Sequence, residues 1–279
     1  MINVQDLTFS YKNEPKPALK NITLSVPDGG FLGIIGAAGA GKTSLVRALS
    51  GIIPHHYTGD YFGSVTVNGL DTVDSPLIDL SRQVGMVFQD VDSQIISSVV
   101  EDELLYGLEN FGVPKEEIPR RIDEALAQTG IPDLKTRSIA SLSGGQRQKV
   151  AIASIIALKP GALVLDEPTG ELDPRSSRQI FSLLRDLNEQ QGVTVIIVEQ
   201  KIMLLCEFVR QLAVLSEGRI VRQGETRDVL AHAEELEALG VNCPRVVTLG
   251  RILSEKTGVP QPVCVNLDEA ENMVRRLIS

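Results

Sequence analysis

Short, largely apolar runs alternate along the chain with longer segments in which hydrophobic residues recur at helical spacing. Phe31–Ile35, Leu163–Leu165 and Val193–Val198 are runs of the first kind, which is typical of strands buried on both faces of a sheet. Lys42–Leu49 and Gly145–Leu158 have the spacing of helices packed on one face. Strands and helices that alternate in this way predict an α/β fold with a largely parallel, helix-covered sheet.

The two ends of the chain depart from this alternation. Residues 4–26 are predicted to form two strands with a proline-containing turn at 15–17, and residues 212–223 to form a hairpin. No strand pattern follows this hairpin. An insert at about 97–128 and the tail, 225–279, are expected to be mostly helical.

The tail ends in a predicted amphipathic helix. Asn266 precedes Glu269 by three residues, which resembles a capping box at a helix N-terminus. An apolar stripe at helical spacing is formed by Leu267, Ala270, Met273, Val274, Leu277 and Ile278. The tail is therefore expected to be a small helical appendage on the α/β domain.

Composition limits the classes of protein that the chain can represent. It has 279 residues, enough for one large domain with an appendage or for two small domains, and 43% of them are hydrophobic. Lys and Arg number 27 against 36 Asp and Glu, which gives a net charge of −9. Because nucleic-acid backbones favour basic surfaces, no nucleic-acid partner is expected.

The sequence predicts a cytosolic protein without a membrane span of its own. The N-terminus has neither the basic nor the apolar region of a signal peptide. The apolar runs fall well short of the roughly 20 residues needed to cross a bilayer. Three scattered cysteines without a CxxC motif favour a reduced compartment. Any membrane association is then expected to come through a partner.

A glycine-rich loop between the first buried strand and the helix at Lys42 matches the pattern G-x-x-x-x-G-K-[ST]. Glycines let backbone N–H groups curl around phosphate oxygens, and the helix adds its positive N-terminal end. Lys42 is expected to reach the β- and γ-phosphates, and the Thr43 hydroxyl to hold Mg²⁺. The predicted nucleotide-binding residues here are Gly36, Ala37, Ala38, Gly39, Ala40, Gly41, Lys42, Thr43 and Ser44.

The apolar strand that contains Leu163–Leu165 ends in two carboxylates, Asp166 and Glu167. Ligands of an open α/β sheet bind outside the carboxyl ends of its strands. Asp166 is expected to position Mg²⁺ through its water shell, and Glu167 to polarise the water that attacks the γ-phosphorus. Because phosphoryl transfer depends mainly on positioning and charge neutralisation, this pair is sufficient for the chemistry.

The most specific motif is Leu142-Ser-Gly-Gly-Gln146, which precedes a predicted helix with Ser143 as its N-cap. Its backbone amides and serine hydroxyl would form a second anion cradle. The predicted nucleotide-binding residues of this signature are Ser143, Gly144, Gly145 and Gln146.

The order of these motifs resembles that of the nucleotide-binding subunit of ATP-binding cassette (ABC) transporters. The resemblance covers residues 2–224. It implies a P-loop NTPase fold with a mixed sheet core, a helical subdomain at about 90–145 and an antiparallel β subdomain. It also implies an ATPase domain at 1–224 that uses ATP and Mg²⁺, followed by a helical extension at 225–279 that contributes to dimerisation.

In that family two subunits, identical or different, enclose two ATP molecules, each between one chain's phosphate loop and the other chain's signature. By resemblance, Tyr11 stacks on adenine, Gln89 senses Mg²⁺ and contacts the membrane partner, and Asp173 lies at the dimer seam. An aromatic residue near a strand end, such as Tyr11, is also typical of plain packing. The implied metal-binding residues are Thr43, Gln89 and Asp166.

Finer features resemble the energy-coupling-factor (ECF) branch of importers. Val87–Ile95 is similar to the glutamine loop of that branch, with Ser93 in place of the usual second aspartate, and Gly51–Tyr57 and the tail also resemble it. Such importers combine ATPase subunits with a transmembrane coupling protein and a membrane substrate-binding protein, and they take up vitamins or transition-metal ions. The chain would then lie on the cytoplasmic face of the cell membrane.

Two side-chain clusters have alternative interpretations. Glu101, Asp102 and Glu103 would receive arginines of the membrane protein by resemblance, or would simply favour the N-terminal turn of a helix. His55 and His56 are expected to be a solvated loop pair, because no third metal ligand lies nearby in the sequence.

The chain departs from the family at Gln200, where a histidine usually hydrogen-bonds the γ-phosphate. Glutamine can donate through its amide but cannot carry a proton or a charge. Gln200 is predicted to be catalytic together with Glu167 and Gln89, with slower hydrolysis at the site on this chain's own phosphate loop. The alternatives are a regulatory ATP-binding subunit paired with an active sister ATPase, and a soluble ABC ATPase outside transport.

Overall fold

The computed structural model describes residues 1–170 and 172–278. The strands are β1 (Ile2–Tyr11), β2 (Leu19–Val26), β3 (Phe31–Ile35), β4 (Gly59–Val67), β5 (Leu70–Asp71), β6 (Val84–Val87), β7 (Ala162–Asp166), β8 (Thr194–Val198), β9 (Gln211–Ser216) and β10 (Arg219–Glu225). The α-helices are α1 (Lys42–Leu49), α2 (Ile52–His55), α3 (Leu77–Gln83), α4 (Val100–Asn110), α5 (Ile118–Gln128), α6 (Gly144–Ile156), α7 (Pro174–Gln191), α8 (Ile202–Phe208), α9 (Thr226–Leu230), α10 (Ala233–Ala238), α11 (Arg245–Thr257) and α12 (Leu267–Ile278).

A six-stranded sheet with the order β10-β9-β3-β8-β7-β6 forms the centre of the fold. Its neighbours are parallel except for the β9–β10 hairpin. Phe31 and Ile35 of β3 pack into one hydrophobic cluster, whereas Leu32 and Ile34 pack into a second. Because successive side chains of a strand point to opposite faces, the sheet is buried on both sides, which the apolar runs predict.

A second, antiparallel sheet has the order β2-β1-β4-β5. Helix α1 lies between the two sheets and contacts β4 as well as β7 and β8. The helices α4 and α5 lie within the segment predicted to be a helical insert. A mixed sheet core, an antiparallel β region and a helical region are therefore all present, and the predicted fold class is confirmed.

The tail is less separate from the core than its sequence pattern suggests. Strand β10 runs to Glu225 and α9 begins at the next residue. The first part of the tail packs into the main cluster through Val229, Leu230, Ala233, Leu236, Val241 and Val247. A distinct small cluster is formed by Val246, Cys264, Ala270 and Met273, while Val265 belongs to the main cluster. The tail therefore packs partly on the core and partly on itself.

Helix α12 begins with the predicted cap, in a modified form. The N–H of Glu269 donates to Oδ1 of Asn266 at 2.9 Å, but the Glu269 carboxylate accepts from the N–H of Val265 at 3.1 Å. Arg227 of α9 also donates to this carboxylate, at 2.8 Å. The cap thus fastens α12 to the beginning of the tail. Within residues 1–170 and 172–278, no helix combines the length and apolar character needed to cross a membrane.

Candidate nucleotide-binding and hydrolysis site

The phosphate loop joins β3 to α1 in a conformation that requires glycine. Gly39 and Gly41 have φ angles of 74° and 102°, which residues with a Cβ atom rarely adopt. A Cβ atom at Gly41 would lie 2.6 Å from the carbonyl oxygen of Ala18, whereas the Cβ position of Gly39 has open space around it. No side chain caps the N-terminus of α1, so its first N–H groups are available to an anion.

The Lys42 side chain donates hydrogen bonds to the backbone of the phosphate loop. Its side chain is 6% exposed, and Nζ donates to the carbonyl oxygens of Gly36 and Ala37 at 2.9 and 3.0 Å. The ammonium group therefore lies at the loop that the sequence assigns to phosphate binding.

A cavity of 640 Å³ opens beside this loop. It brings together most of the predicted loop residues with Gln89, Glu167 and Gln200. Its lining consists of Lys16, Pro17, Ala18, Lys20, Ala38, Gly39, Gly41, Lys42, Thr43, Ser44, Gln89, Glu167, Gln200, Glu217 and Gly218. No motif in the sequence pointed to Lys16, Pro17, Ala18, Lys20, Glu217 or Gly218.

Glu167 is held between two amides at the mouth of this cavity. Gln89 Nε2 donates to Glu167 Oε2 at 2.9 Å, and Gln200 Nε2 donates to Glu167 Oε1 at 2.7 Å. The three residues follow β6, β7 and β8, which are parallel neighbours in the sheet. Glu167 also has a φ of 50°, in the left-handed region, and its N–H donates to the Val198 carbonyl at 2.9 Å. Such a backbone persists only where its surroundings fix it.

Asp166 is a buried carboxylate with an unpaired oxygen. It is 2% exposed, and its Oδ1 has no hydrogen-bond partner. Burial raises the pKa of Asp166, and a hydrogen bond from Thr43 opposes that rise. Asp166, Thr43 and Gln89 line a groove adjacent to the nucleotide cavity. Since a cation would satisfy the unpaired oxygen, these three residues fit Mg²⁺.

The structure places Tyr11 beside the cavity rather than in its lining. Its hydroxyl lies 3.0 Å from Ser44 Oγ and accepts from Arg47 at 3.2 Å. Its ring packs edge-on against Phe9 and Tyr57. These contacts correspond to the packing interpretation of Tyr11, and its stacking on adenine stays a prediction.

The signature lies outside the cavity lining of its own chain. Ser143 caps α6 with both bonds of a capping box: its Oγ accepts from the Gln146 N–H at 3.3 Å, and its N–H donates to Gln146 Oε1 at 3.0 Å. Ser143 is exposed, and Gly144 and Gly145 are partly so. The structure therefore does not bring the two predicted anion cradles together within one chain.

Asp173 is exposed and caps α7, as its sequence position predicts. Its carboxylate accepts from the N–H groups of Ser176 and Arg175 at 3.1 and 2.9 Å. Hydrogen bonds, first of all from the Ser176 side chain, lower the pKa of Asp173. It lies outside the nucleotide cavity of its own chain.

Two residues of the acidic cluster after the glutamine loop, Glu101 and Glu103, make contacts within their own chain. Glu103 is 7% exposed and accepts from the N–H groups of Ile96 and Ser97 at 3.0 and 2.8 Å. Glu101 lies 3.5 Å from Lys135 Nζ. Glu103 thus has a structural role at the start of α4, and an arginine partner for it is disfavoured.

His55 and His56 are both exposed, as expected, but His55 is the last residue of α2 rather than part of a loop, because the helix continues to that position. A ring nitrogen of His55 lies 2.8 Å from the Thr72 carbonyl oxygen. Within the described residues, 1–170 and 172–278, no group of three or more His, Cys, Asp or Glu side chains could hold a metal ion.

Comparison with known proteins identifies the family. The family model described as ABC transporter matches residues 19–170. A candidate ABC transporter ATP-binding protein of Pyrococcus horikoshii is 38% identical over 275 residues, which cover 99% of this chain and 96% of that protein. The chain belongs to the ABC transporter family.

Two solved structures agree with this assignment. CbiO1 of Clostridium perfringens, described as part of the ABC transporter complex CbiONQ, is 32% identical with a TM-score of 0.74, over 88% of this chain and 96% of that one. A dimeric ATP-binding cassette in a post-hydrolysis state with ADP and Pi is 27% identical with a TM-score of 0.73, over 81% and 99%.

The class of the protein follows from these comparisons and from the fold. The chain is an ATP-binding subunit of an ABC transporter and an ATPase, and domains of this class bind ATP with Mg²⁺. Such ATPases dimerise and pair with transmembrane subunits. The predictions of an ATPase and of its cofactors are confirmed.

Proposed function

We propose that this chain hydrolyses ATP to drive a membrane importer of the ECF type, and that it does so as one of a pair of ATPase subunits. The observation that carries the hydrolytic role is the position of Glu167 between Gln89 and Gln200, at the mouth of the phosphate-loop cavity. An acid at this point can orient a water for attack on a γ-phosphate held by the loop.

Each residue at the cavity has a distinct role in this proposal. Lys42 and the loop amides bind the phosphates, and Thr43, Gln89 and Asp166 hold Mg²⁺, which would neutralise phosphate charge when bound. Glu167 polarises the attacking water. The amide of each glutamine, Gln89 and Gln200, donates one hydrogen bond to Glu167, which leaves its other N–H and its oxygen for contacts with the ligand or the metal ion.

A second subunit completes the site in this proposal. The signature is exposed and lies away from the chain's own cavity, so its cradle is available to the ATP of another chain. Asp173, also exposed, would lie at the seam between them. The second subunit is another copy of this chain or a sister ATPase.

The ECF assignment rests on similarity and on two surfaces. CbiO1, which is similar over most of the chain, is described as part of CbiONQ. The tail exposes apolar side chains that could contact a second subunit, at Leu249, Ile252, Val259, Leu267, Leu277 and Ile278. The groove beside Gln89 is lined by apolar side chains and by Asp90 and Asp92. Asp92 already pairs with Arg147, and the exposed Asp90 could receive a basic residue of a coupling protein. The substrate would be a vitamin or a transition-metal ion, and the subunit would lie at the cytoplasmic face of the membrane.

Co-purification from native membranes tests the importer assignment. A tagged chain is expected to recover a polytopic coupling protein and a small membrane substrate-binding protein. Leu77, on the groove wall and 37% exposed, gives the variant Leu77→Asp, which should lose these partners but keep ATP binding. Val73→Asp, at a position 41% exposed outside the groove, is the control. Recovery of the wild-type chain with soluble proteins alone would contradict the assignment.

Gln200→His is expected to raise ATP turnover in the assembled complex by up to about 10-fold. An imidazole can carry a proton and a positive charge toward the γ-phosphate, which the amide of Gln200 cannot. Steady-state phosphate release measures this. Gln190→His, the same change at an exposed position of α7, controls for the added imidazole. Unchanged turnover in Gln200→His would mean that glutamine substitutes fully for histidine.

A further inference from the structure

The two neighbours of Gln200 are tied to the segment that follows Glu167. Glu199 is 2% exposed, and its Oε1 accepts from the N–H of Thr169 at 2.9 Å and from its hydroxyl at 2.6 Å. The other oxygen accepts from the N–H groups of Gln200 and Lys201 at 3.2 and 3.4 Å. One buried carboxylate therefore joins the end of β8 to the segment after β7.

Lys201 makes a second connection on the other side of Gln200. Its Nζ donates to the carbonyl oxygens of Thr169 and Leu172 and, at 3.1 Å, to Oγ of Ser177. The Leu172 contact is 2.7 Å. A lysine ammonium has three donors, and all three are used here. Lys201 has no donor left for a ligand, and it is absent from the lining of the nucleotide cavity.

These contacts lie between Glu167, which is proposed to polarise the attacking water, and Asp173 at the proposed subunit seam. Thr169 and Leu172 lie between Glu167, which binds Gln200, and Asp173, which caps α7. Thr169 and Ser177 have no exposed surface. The acceptors of Lys201 therefore lie in a packed region, and a backbone shift at Gln200 would strain the contacts to Thr169, Leu172 and Ser177.

We propose that Glu199 and Lys201 are positioning residues, which make Gln200 move together with Thr169, Leu172 and the start of α7, which Asp173 caps. Contact of Gln200 with the γ-phosphate in one site would thereby shift Asp173 at the face toward the second subunit. The inference rests on the proposed two-subunit function. It adds a path by which the two ATP sites of the pair sense each other.

Charge and geometry explain why lysine suits this position. Hydrogen bonds from a charged donor are about twice as strong as neutral ones. Methionine at 201 would keep the apolar stem but leave two buried carbonyl oxygens and a buried hydroxyl without this donor. Arginine would keep the charge and several donors, so Lys201→Arg should retain part of the connection.

The test compares Lys201→Met, Lys201→Arg and wild type as full chains in the assembled ATPase pair. The readouts are ATP affinity, kcat and the Hill coefficient for ATP. Lys201→Met is expected to keep its ATP affinity within about twofold, to lose roughly 10-fold in kcat, and to show a Hill coefficient of about 1. Lys201→Arg should recover part of both losses. Lys159→Met removes an exposed lysine that pairs with Glu124 and is the control.

A second variant tests the inference if Lys201→Met does not fold. Thr169→Val removes only the hydroxyl that donates to Glu199, and it should lower the Hill coefficient in the same direction. If the folded variants keep wild-type kcat and cooperativity, and only their melting temperature falls, the residues are a structural brace and the inference is wrong. A wild-type chain without ATP turnover would instead refute the proposed function, and the inference with it.

Discussion

Replacement of Glu167 by glutamine is expected to reduce ATP hydrolysis by about 10²- to 10⁴-fold while ATP still binds. Glutamine has nearly the same shape, but its neutral amide oxygen is a weaker hydrogen-bond acceptor than a carboxylate and cannot take up a proton of the attacking water. The neighbouring amides of Gln89 and Gln200 remain able to hold the side chain through its oxygen. Phosphate release gives the rate, and equilibrium binding of a fluorescent ATP analogue gives the affinity.

Glu237→Gln is the matched control for this experiment. Glu237 is an exposed residue of α10 that lies outside the lining of the nucleotide cavity. It should keep wild-type turnover. If the wild-type chain hydrolyses no faster than Glu167→Gln, the chain is a regulatory ATP-binding subunit, and the chemistry belongs to a sister ATPase.

Lys42→Met is expected to weaken ATP binding at the chain's own site by about 100-fold. A charged hydrogen bond to phosphate contributes roughly 1.5–3 kcal/mol, and the loop also loses the bonds from Nζ to Gly36 and Ala37. Titration with the fluorescent analogue measures the affinity. Lys20→Met, at the same cavity but outside the phosphate loop, should bind ATP within a few-fold of wild type. Equal losses in both variants would mean that net charge, rather than the position of Lys42, governs binding.

The sequence predicts the central sheet and the phosphate loop because local chemistry determines both. In Thr194–Val198 the side chains on both faces of the strand are buried, and all but the first are apolar. This pattern is expected of a strand that is covered on both sides of its sheet. Gly41 adopts its φ of 102° because no other residue fits there. The cap of α7 by Asp173 likewise depends on a few adjacent residues.

The arrangement around Glu167 depends instead on strand order, which the sequence does not reveal. Gln89, Glu167 and Gln200 are far apart in the chain, and they meet because β6, β7 and β8 are parallel neighbours. The contacts of Lys201 also depend on the tertiary fold. Its three acceptors belong to Thr169, Leu172 and Ser177, and most of α7 and all of β8 separate them from Lys201 in the chain. Tail packing also depends on tertiary contacts, because an amphipathic pattern does not specify which surface a helix covers.

We propose that each ATP lies between the phosphate loop of one subunit and the signature of the other. Mixed dimers, purified through two different tags, test it directly, with Glu167→Gln in both chains so that bound ATP is retained. One dimer pairs a Lys42→Met chain with a Ser143→Arg chain. The other pairs a chain carrying both changes with a chain carrying neither.

The measurement is the amount of radiolabelled ATP retained per dimer after rapid gel filtration. We expect one ATP in the first dimer, because its two intact elements face each other, and none in the second, because each site has one damaged element. Retention in the second dimer and none in the first would show that each chain builds its site alone, which would contradict the shared ATP sites proposed for the pair.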